Sequence, residues 1–412
     1  MVKMKKNTCD IAIIGAGVAG LTLAGILADR GVRVHLVEPY PPKPFKDTDI
    51  TGRTVALMQS SLNILKAAGL EDFYNEHGTK MEIMRIYDDS IAGQKPIISE
   101  FDSFDLGLEY FSMNIPAAPL RARLYEDLKN RKTVIFHEKK SLAGYSYHND
   151  SMVQVTLDDG TVIDTSLIVG ADGRESTVRQ IANIDTQRKI YKQSAITFVI
   201  NHSRAHKNTS TEFHRPGGPF AIVPMRGNQS SIVWVETTEK ADALMALPKD
   251  AFEAALQEAT NDILGGVRLE TPPQSWPLCA IKAKSLTAPR VALIAEAAHV
   301  MSPITAQGLN LSLRDVAALA ETVMDTLRVG EDIGSHTTLK TYERRRSFDI
   351  DTRTFGVNGI NQLVSSNRAP TKDFRRIALK IVDRISPLKH LLMQHGLAPT
   401  LDQGRLASGQ PL

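Results

Sequence analysis

The sequence predicts an α/β fold of two lobes (α+β in overall arrangement): a parallel-sheet domain, an inserted antiparallel β-sheet lobe and a helical C-terminus. Before residue 186, apolar strand signals alternate with helix signals, which is typical of parallel sheets joined by crossover helices. Residues 187–283 change to β-rich runs such as 195–200, 220–224 and 231–236, with one helix near 250–260. Helical signals dominate from Leu309 onward.

This change of pattern predicts three parts of the chain. Residues 1–79, 112–186 and 284–335 are expected to form one discontinuous, Rossmann-like domain. Residues 80–111 and 187–283 are expected to form the inserted β lobe, and residues 336–412 the helical C-terminal region. A chain of 412 residues is too long for one simple core, so a division into lobes is expected on length alone.

The most informative stretch, residues 11–38, reads as a strand, a glycine turn, a helix, a second strand and an acid. Gly15, Gly17 and Gly20 have the G-x-G-x-x-G spacing. The first glycine permits the tight turn, the second lets the backbone approach a pyrophosphate, and the third packs the helix on the sheet. Glu38 ends the second strand, where a carboxylate can accept hydrogen bonds from a ribose. The stretch therefore predicts a dinucleotide site.

Composition argues against several other classes of protein. The net charge of +3 gives no indication of a nucleic-acid partner. Cys9 and Cys279 are the two cysteines, which predicts neither a disulfide framework nor a metal site and suits a reducing cytoplasm. The uncharged run 11–28 contains four glycines and has no small-residue cleavage site, so we interpret it as part of the fold and not as a signal peptide or membrane span.

Two further motifs narrow the dinucleotide to a flavin. In the first, residues 170–179, a strand leads into Asp172-Gly173 and then a helix, which suits a sharp turn. In the second, residues 290–310, a strand is followed by a loop with Glu296 and then by a long helix. The acid can hold a ribityl hydroxyl. The amino end of the helix can stabilise the negative charge of reduced flavin at its N1/C2=O edge.

Together these motifs resemble the class A flavoprotein monooxygenases, and within that class the ubiquinone-biosynthesis hydroxylase family of the 2-octaprenyl-6-methoxyphenol hydroxylase type. The resemblance also covers the arginine-led helix at 53–70, the strand pair at 219–234 and the signature at 303–315. It implies an enzyme that uses FAD, NAD(P)H as reductant and O2. It further implies hydroxylation of the aromatic ring of a polyprenyl phenol through a flavin C4a-hydroperoxide, with the protein positioning the ring and excluding water.

The resemblance and the motifs together give a set of candidate site residues. We expect Arg53 to place a positive side chain beside flavin or NADPH, and we consider His299 as a second catalytic candidate against a structural hydrogen-bonding role. The candidate cofactor-binding residues are Gly15, Gly17, Gly20, Glu38, Arg53, Asp172, Gly173, Glu296, Gln307, Gly308, Leu309 and Asn310.

Three departures from the family pattern keep other functions open. Ala295-Glu296 stands where the family has Gly-Asp or Gly-Asn, Ala306 replaces a glycine, and Ala117 replaces a polar residue that Arg121 or Arg123 could compensate. One alternative is another FAD oxidoreductase of the same fold, such as an epoxidase, prenyl reductase or halogenase. The other is a non-catalytic flavoprotein scaffold in a quinone-synthesis protein complex.

The C-terminal segment 372–389 raises the question of membrane contact. Phe374, Ile377, Ile381, Ile385 and Leu388 recur at helical spacing among lysines and arginines. Such a helix can lie on the inner, anionic face of a membrane, where a polyprenyl phenol resides. The same periodicity is also produced by a helix packed on the protein's own body, and the sequence leaves both interpretations open.

Overall fold

The computed structural model describes residues 7–45, 53–88, 96–301, 307–365 and 404–412. The described strands are β1 (Thr8–Ile14), β2 (Val34–Glu38), β3 (Thr54–Met58), β4 (Thr79–Met81), β5 (Ile83–Asp88), β6 (Ile97–Asp102), β7 (Ser112–Pro116), β8 (Val134–Glu138), β9 (Leu142–Asn149), β10 (Met152–Leu157), β11 (Val162–Gly170), β12 (Thr186–His202), β13 (Thr209–Arg215), β14 (Gly218–Pro224), β15 (Gln229–Thr237), β16 (Val267–Leu269), β17 (Gln274–Ala283), β18 (Thr287–Ala288), β19 (Val291–Leu293) and β20 (His299–Val300). The described α-helices are α1 (Val18–Ala28), α2 (Gln59–Ala67), α3 (Glu71–His77), α4 (Ala117–Lys129), α5 (Thr177–Ile181), α6 (Thr238–Met245), α7 (Lys249–Ala259), α8 (Gln307–Arg328), α9 (His336–Ser365) and α10 (Gly404–Ala407).

The first sheet is built around five neighbouring parallel strands in the order β19-β11-β1-β2-β8. Ile11–Ile14 of β1 are buried on both faces, which explains why this strand reads as a continuous apolar run. Helix α1 has almost no polar side, and all of its residues after Val18 are buried. The predicted mixed α/β fold with a parallel-sheet domain is confirmed.

The second sheet has the order β20-β17-β12-β15-β14-β13-β5-β6, and β16 pairs with β12. The prediction of an antiparallel lobe needs one correction, because β5 runs parallel to β13. No hairpin joins these two strands, since they are far apart in the sequence, so their relative direction is not constrained by a tight turn. Strands β5 and β6, which lie within residues 80–111, are part of this sheet.

The two faces of the second sheet have different neighbours. On the outer face, Phe198, Phe213 and Ile232 share one core with Phe252 and Leu256 of α7. Side chains alternate between faces along a strand, so the residues out of phase with these lie on the opposite face, which we call the inner face. There Ala195, Val235 and Leu278 form a small separate cluster. Half of the apolar residues in the runs 220–224 and 231–236 therefore serve the α7 core.

The remaining elements join the two large sheets. A three-stranded sheet, β3-β7-β4, was not predicted from the sequence. Helix α8 packs on α1, and α9 packs on α8 and reaches β13 and β14 of the second sheet. Strand β20 pairs with β17, so the second sheet extends into the stretch 284–335 that the sequence assigned to the parallel-sheet domain.

Two sequence predictions concern the C-terminal part of the chain. Helix α9 begins the predicted C-terminal helical region at His336. The basic segment 372–389 lies outside the described residues. Within the described part of the chain, no helix is long and apolar enough to span a membrane.

Candidate functional site

The three sequence motifs follow three adjacent parallel strands, β1, β11 and β19. Backbone hydrogen bonds fasten the strand ends together. The amide of Ala171 donates to the carbonyl of Ile14 at 2.8 Å, and that of Ile294 donates to Gly170 at 3.0 Å. The turns therefore meet at the carboxyl edge of the sheet, which is where open α/β sheets bind ligands.

The three glycines of the first turn have separable roles. Gly15 has φ +106°, and a Cβ there would lie 2.3 Å from the carbonyl oxygen of Ala171. A Cβ on Gly20 would lie 2.2 Å from the carbonyl oxygen of Gly15. In contrast, a Cβ on Gly17 would meet nothing within 4 Å, and its φ of −74° is ordinary for any residue. Gly15 and Gly20 are thus required by the fold, whereas Gly17 keeps open a space at the amino end of α1.

Glu38 is fastened directly to this turn. One carboxylate oxygen accepts a hydrogen bond from the amide of Ala16 at 2.7 Å, and the other accepts one from Tyr40 at 2.8 Å. The side chain of Arg121, on α4, lies 3.2 Å from the same carboxylate and donates to the carbonyl of Ala16 at 2.8 Å. Glu38 is only 7% exposed, so its carboxylate is held in one position beside the turn.

Of the two arginines named from the sequence, Arg121 is the one placed beside the glycine turn. Arg123 is exposed and pairs with Asp127 on its own helix, so Arg121 is the arginine beside the glycine turn. The sequence does not distinguish the two arginines, because their positions relative to the turn depend on the packing of α4 against α1.

Asp172 leaves one carboxylate oxygen unused. Its Oδ2 accepts a hydrogen bond from the amide of Val178 at 3.1 Å and so caps α5. Its Oδ1 is buried and has no hydrogen-bond partner among the described residues. Gly173 has φ +84°, and a Cβ there would meet nothing within 4 Å. A buried, unpaired carboxylate oxygen beside the glycine turn is suited to a ligand hydroxyl, since burial without a partner is costly.

Arg179 links the second motif to the third. Its buried guanidinium donates to the carbonyl of Ala297 and to that of Arg174, each at 2.8 Å. Glu296 extends from the third turn with its side chain 46% exposed, 3.5 Å from the guanidinium of Arg174. Glu296 is therefore accessible to a ligand.

Ala295, which stands where the family has glycine, adopts a backbone conformation that favours glycine. Its φ is +57°, in the left-handed region that favours glycine. The amide of Ala295 donates to Asp315 Oδ2 at 2.9 Å, and this buried hydrogen bond helps hold the strained turn.

His299 lies in a buried ion-pair network. Its Nε2 is 2.6 Å from Asp315 Oδ2, and Arg346 donates to Asp315 Oδ1 at 2.7 Å. Burial alone would raise the pKa of Asp315, but the charges of His299 and Arg346 hold that pKa below its usual range. Both His299 and Asp315 are inaccessible to solvent. These contacts favour a structural role for His299 over the catalytic one.

The start of α8 contains an accessible glycine, Gly308, and a buried residue, Asn310, that fastens neighbouring elements. Asn310 is buried, and its Oδ1 accepts from the amide of Met58 at 2.9 Å and from Ser61 at 2.7 Å. Its side-chain amide donates to Ala56 at 2.8 Å, so Asn310 holds β3 and α2 to α8. A Cβ on Gly308 would meet nothing within 4 Å. Gln307 is buried and Leu309 packs on the core, while Ala306 lies outside the described residues.

Arg53 is exposed just before β3, with its guanidinium 5.3 Å from the ring centre of Trp276 on β17. This stacking links the segment that precedes β3 to the second sheet. Trp276 lies outside the sequence motifs. It pairs in register with Ala195 and is therefore on the inner face.

These features fit an FAD pyrophosphate and ribose. The open space at Gly17 faces the amino end of α1, where amide groups and the helix dipole favour an anion. Glu38, Asp172 Oδ1 and Glu296 supply carboxylate acceptors at the same edge of the sheet. Such acceptors suit sugar and ribityl hydroxyl groups.

Comparison with known proteins agrees with this geometry. A family model described as FAD binding domain matches residues 8–350. Ubiquinone hydroxylase UbiL of Rhodospirillum rubrum is 34% identical over 425 residues, covering 98% of this chain and 94% of that protein. The chain belongs to the ubiquinone-biosynthesis FAD hydroxylase family. The 3-demethoxyubiquinol 3-hydroxylase of Escherichia coli is 28% identical and covers 96% of this chain and 100% of its own.

Solved structures show the same fold for this FAD hydroxylase. PqsL of Pseudomonas aeruginosa superposes with a TM-score of 0.74 at 22% identity, covering 87% of this chain and 97% of its own. p-Nitrophenol 4-monooxygenase PnpA of Pseudomonas putida DLL-E4 superposes with a TM-score of 0.75 at 18% identity, covering 95% and 97%. The family assignment makes the protein an FAD-dependent monooxygenase acting on a small molecule, with O2 and NAD(P)H as co-substrates.

Proposed function

We propose that this FAD hydroxylase oxygenates the aromatic ring of a polyprenyl phenol in ubiquinone biosynthesis. The observation that carries the proposal is the full-length similarity to a protein named ubiquinone hydroxylase, on a chain whose three strand-end turns fit FAD. Bound FAD would accept hydride from NAD(P)H and activate O2 for transfer to the ring.

The residues of the chain have distinct parts in this proposal. Gly15 and Gly20 shape the turn, and Gly17 leaves room for the pyrophosphate at the amino end of α1. Glu38 binds the ribose, and Asp172, Gly173 and Glu296 border the flavin's sugar chain. The start of α8, at Gln307, Gly308 and Leu309, stabilises the flavin ring through the helix dipole, and Asn310 anchors that start.

Arg53 has a separate part, as a cation at the boundary between the lobes. Its stacking on Trp276 keeps the guanidinium beside the inner face. A positive charge there favours the approach of anionic NADPH or the negative charge of reduced flavin. The inner face would cover the ring of the substrate and exclude water from it.

The test uses the purified protein and a strain that lacks it. The purified wild type should carry FAD, and a phenolic precursor should stimulate its NADPH oxidation and gain one oxygen atom. Lipids from the deletion strain should accumulate an under-hydroxylated quinone precursor. A flavin-free protein would instead favour the scaffold alternative. A deletion strain with an unchanged quinone profile would contradict both the hydroxylase and the scaffold. Oxidation without oxygen insertion would favour another FAD oxidoreductase.

We also propose peripheral membrane contact through the basic segment 372–389, on the basis of its sequence alone. Each basic side chain near an anionic surface contributes about 1 kcal/mol, screened by salt. Replacing Arg375, Arg376 and Lys380 by glutamate should weaken co-sedimentation with anionic liposomes while FAD stays bound. If this triple variant sediments as the wild type does, the segment does not bind the membrane.

Co-purification from detergent extracts would test for a quinone-synthesis complex.

A further inference from the structure

A histidine–carboxylate pair lies on the inner face of the second sheet. Phe213 of β13 belongs to the outer-face core with α7, and Arg215 stacks over its ring on that side. Glu212 and His214 flank Phe213 in the strand and therefore point to the inner face. Helix α9, which begins on the parallel-sheet lobe, packs against β13 and β14. The face that carries this pair is thus an interior one between the two lobes.

The pair fixes the orientation of the imidazole. His214 is 7% exposed, and its Nε2 lies 3.1 Å from Glu212 Oε1. A carboxylate can only accept a hydrogen bond, so Nε2 of the neutral ring carries the hydrogen and Nδ1 is left as an acceptor. Nδ1 is buried and has no hydrogen-bond partner among the described residues.

The strand register places His214 on the same cross-strand row as Trp276, which contacts Arg53. Along this row Trp276 pairs with Ala195, and Ala195 pairs with Val235. The adjacent pair Trp234–Phe220 places Val235 level with Pro219, which is the partner of His214. The parallel partner of His214 on β5 is Asp88, a buried acid. The imidazole therefore belongs to the same inner face that meets the flavin-binding lobe at Arg53.

We propose that His214 Nδ1 accepts the proton of the ring hydroxyl of the phenolic substrate, with Glu212 as its positioning residue. In this step the phenol O–H bond breaks and an Nδ1–H bond forms, which gives a phenolate and an imidazolium paired with the Glu212 carboxylate. The inference rests on the proposed function, because it requires a phenol on the inner face. A phenolate ring is richer in electrons than a phenol and reacts faster with an electrophilic oxygen donor.

Glu212 is assigned the positioning role because its carboxylate contacts Nε2, the ring nitrogen opposite the proton-accepting Nδ1. Its side chain is 31% exposed, whereas the imidazole is buried. A carboxylate behind an imidazole fixes the tautomer and stabilises the imidazolium that forms on proton transfer. Glu212→Gln should therefore reduce the proton transfer less than His214→Gln does.

The test compares the wild-type holoenzyme with His214→Gln, Glu212→Gln and a control, His202→Gln. His202 is a buried histidine of the same sheet, but both of its ring nitrogens have partners, Arg204 and Ser230. The probe is 4-nitrophenol, whose phenolate form has its own visible absorption band. At a fixed pH below the probe's solution pKa, wild type and His202→Gln should bind the probe as the phenolate.

His214→Gln should bind the probe as the neutral phenol and should retain its FAD. Loss of one general base is expected to lower the hydroxylation rate by about 10²–10⁴-fold, while NADPH oxidation continues and yields more hydrogen peroxide. Added imidazole should restore part of the phenolate band in His214→Ala. A phenolate band of equal size in wild type and His214→Gln, or its absence from wild type with bound probe, would overturn the inference.

The outcome also separates this inference from the proposed function. If phenols stimulate NADPH oxidation in wild type but the phenolate band does not depend on His214, the inference fails and the proposed function stands. If no phenol stimulates the wild type, the proposed function fails, and the inference fails with it.

Discussion

Gly17→Val is the substitution that most directly tests the flavin site. The structure shows that a Cβ at this position meets no protein atom within 4 Å, and the backbone angles of φ −74° and ψ 176° suit any residue. The added side chain would instead enter the space at the amino end of α1 where the pyrophosphate is proposed to lie. We expect a folded protein that binds FAD poorly.

Gly17→Val should change the free energy of unfolding much less than it changes the free energy of FAD binding. A substitution that touches nothing in the protein should change the free energy of unfolding by about 0.5 kcal/mol or less. Losing one hydrogen bond to a charged phosphate costs about 1.5–3 kcal/mol, or roughly 10- to 150-fold in FAD affinity. Gly17→Ala should lie between the wild type and Gly17→Val in affinity, because the methyl group fills less of the space.

Gly20→Ala is the matched control. Its Cβ would lie 2.2 Å from the carbonyl oxygen of Gly15, so the helix must shift away from the turn. That clash should cost about 3 kcal/mol or more, at the upper end for overpacked sites. Flavin absorbance per protein and the melting temperature with and without added FAD measure both effects. If Gly17→Val retains full flavin, or if it unfolds as Gly20→Ala does, the assignment of the pyrophosphate site is wrong.

Three further predictions concern buried ionisable side chains. Burial, then the charges of His137 and Arg33, lower the pKa of His35 to about 4. Between pH 6.5 and 4 the unfolded chain therefore binds a proton that the folded chain does not, so stability is complete above this range and should fall by up to about 3 kcal/mol as the pH drops. Urea unfolding should show a smaller pH slope in His35→Leu. Glu38→Gln should lower FAD affinity in equilibrium titration without unfolding the protein. The glutamine side chain has a single acceptor oxygen, so it cannot accept from the amides of both Ala16 and Tyr40 and still hold the ribose as the carboxylate would. Asp315→Asn should destabilise the protein by about 3–5 kcal/mol in calorimetry, because it leaves Arg346 buried with less compensating charge.

The sequence predicted the parallel-sheet domain well because its signals are local. The strand at 11–14, the glycine turn and the acid at Glu38 lie within one continuous stretch, and each has a physical reason to occupy its place. The apolar run of α1 also marked a buried helix correctly, since its residues after Val18 have no access to solvent. The stretch 53–70, described as an arginine-led helix, is only partly helical. Residues 54–58 form β3, and α2 begins at Gln59 and ends at Ala67.

Features that depend on distant packing were not predictable in the same way. Whether Arg121 or Arg123 meets the glycine turn depends on how α4 rotates against α1. The anchoring of β3 by Asn310 joins residues about 250 positions apart and leaves no local pattern. The parallel pairing of β5 with β13 is a long-range contact of the same kind.

Of the departures that kept a non-catalytic scaffold open, the structure accounts for the pair Ala295-Glu296. Ala295 adopts a left-handed backbone that glycine would adopt without strain, and the buried Asp315 holds it through the amide. Asp315 is in turn held by His299 and Arg346, so the turn that presents Glu296 has support from β20 and from α9. Glutamate is one methylene longer than aspartate, and its side chain remains accessible beside Arg174. The backbone of the turn is thus fixed by buried contacts, and it presents the accessible carboxylate of Glu296 to solvent, where that group can accept a hydrogen bond from a ribityl hydroxyl. Alanine and glutamate at these two positions therefore remain suited to flavin binding.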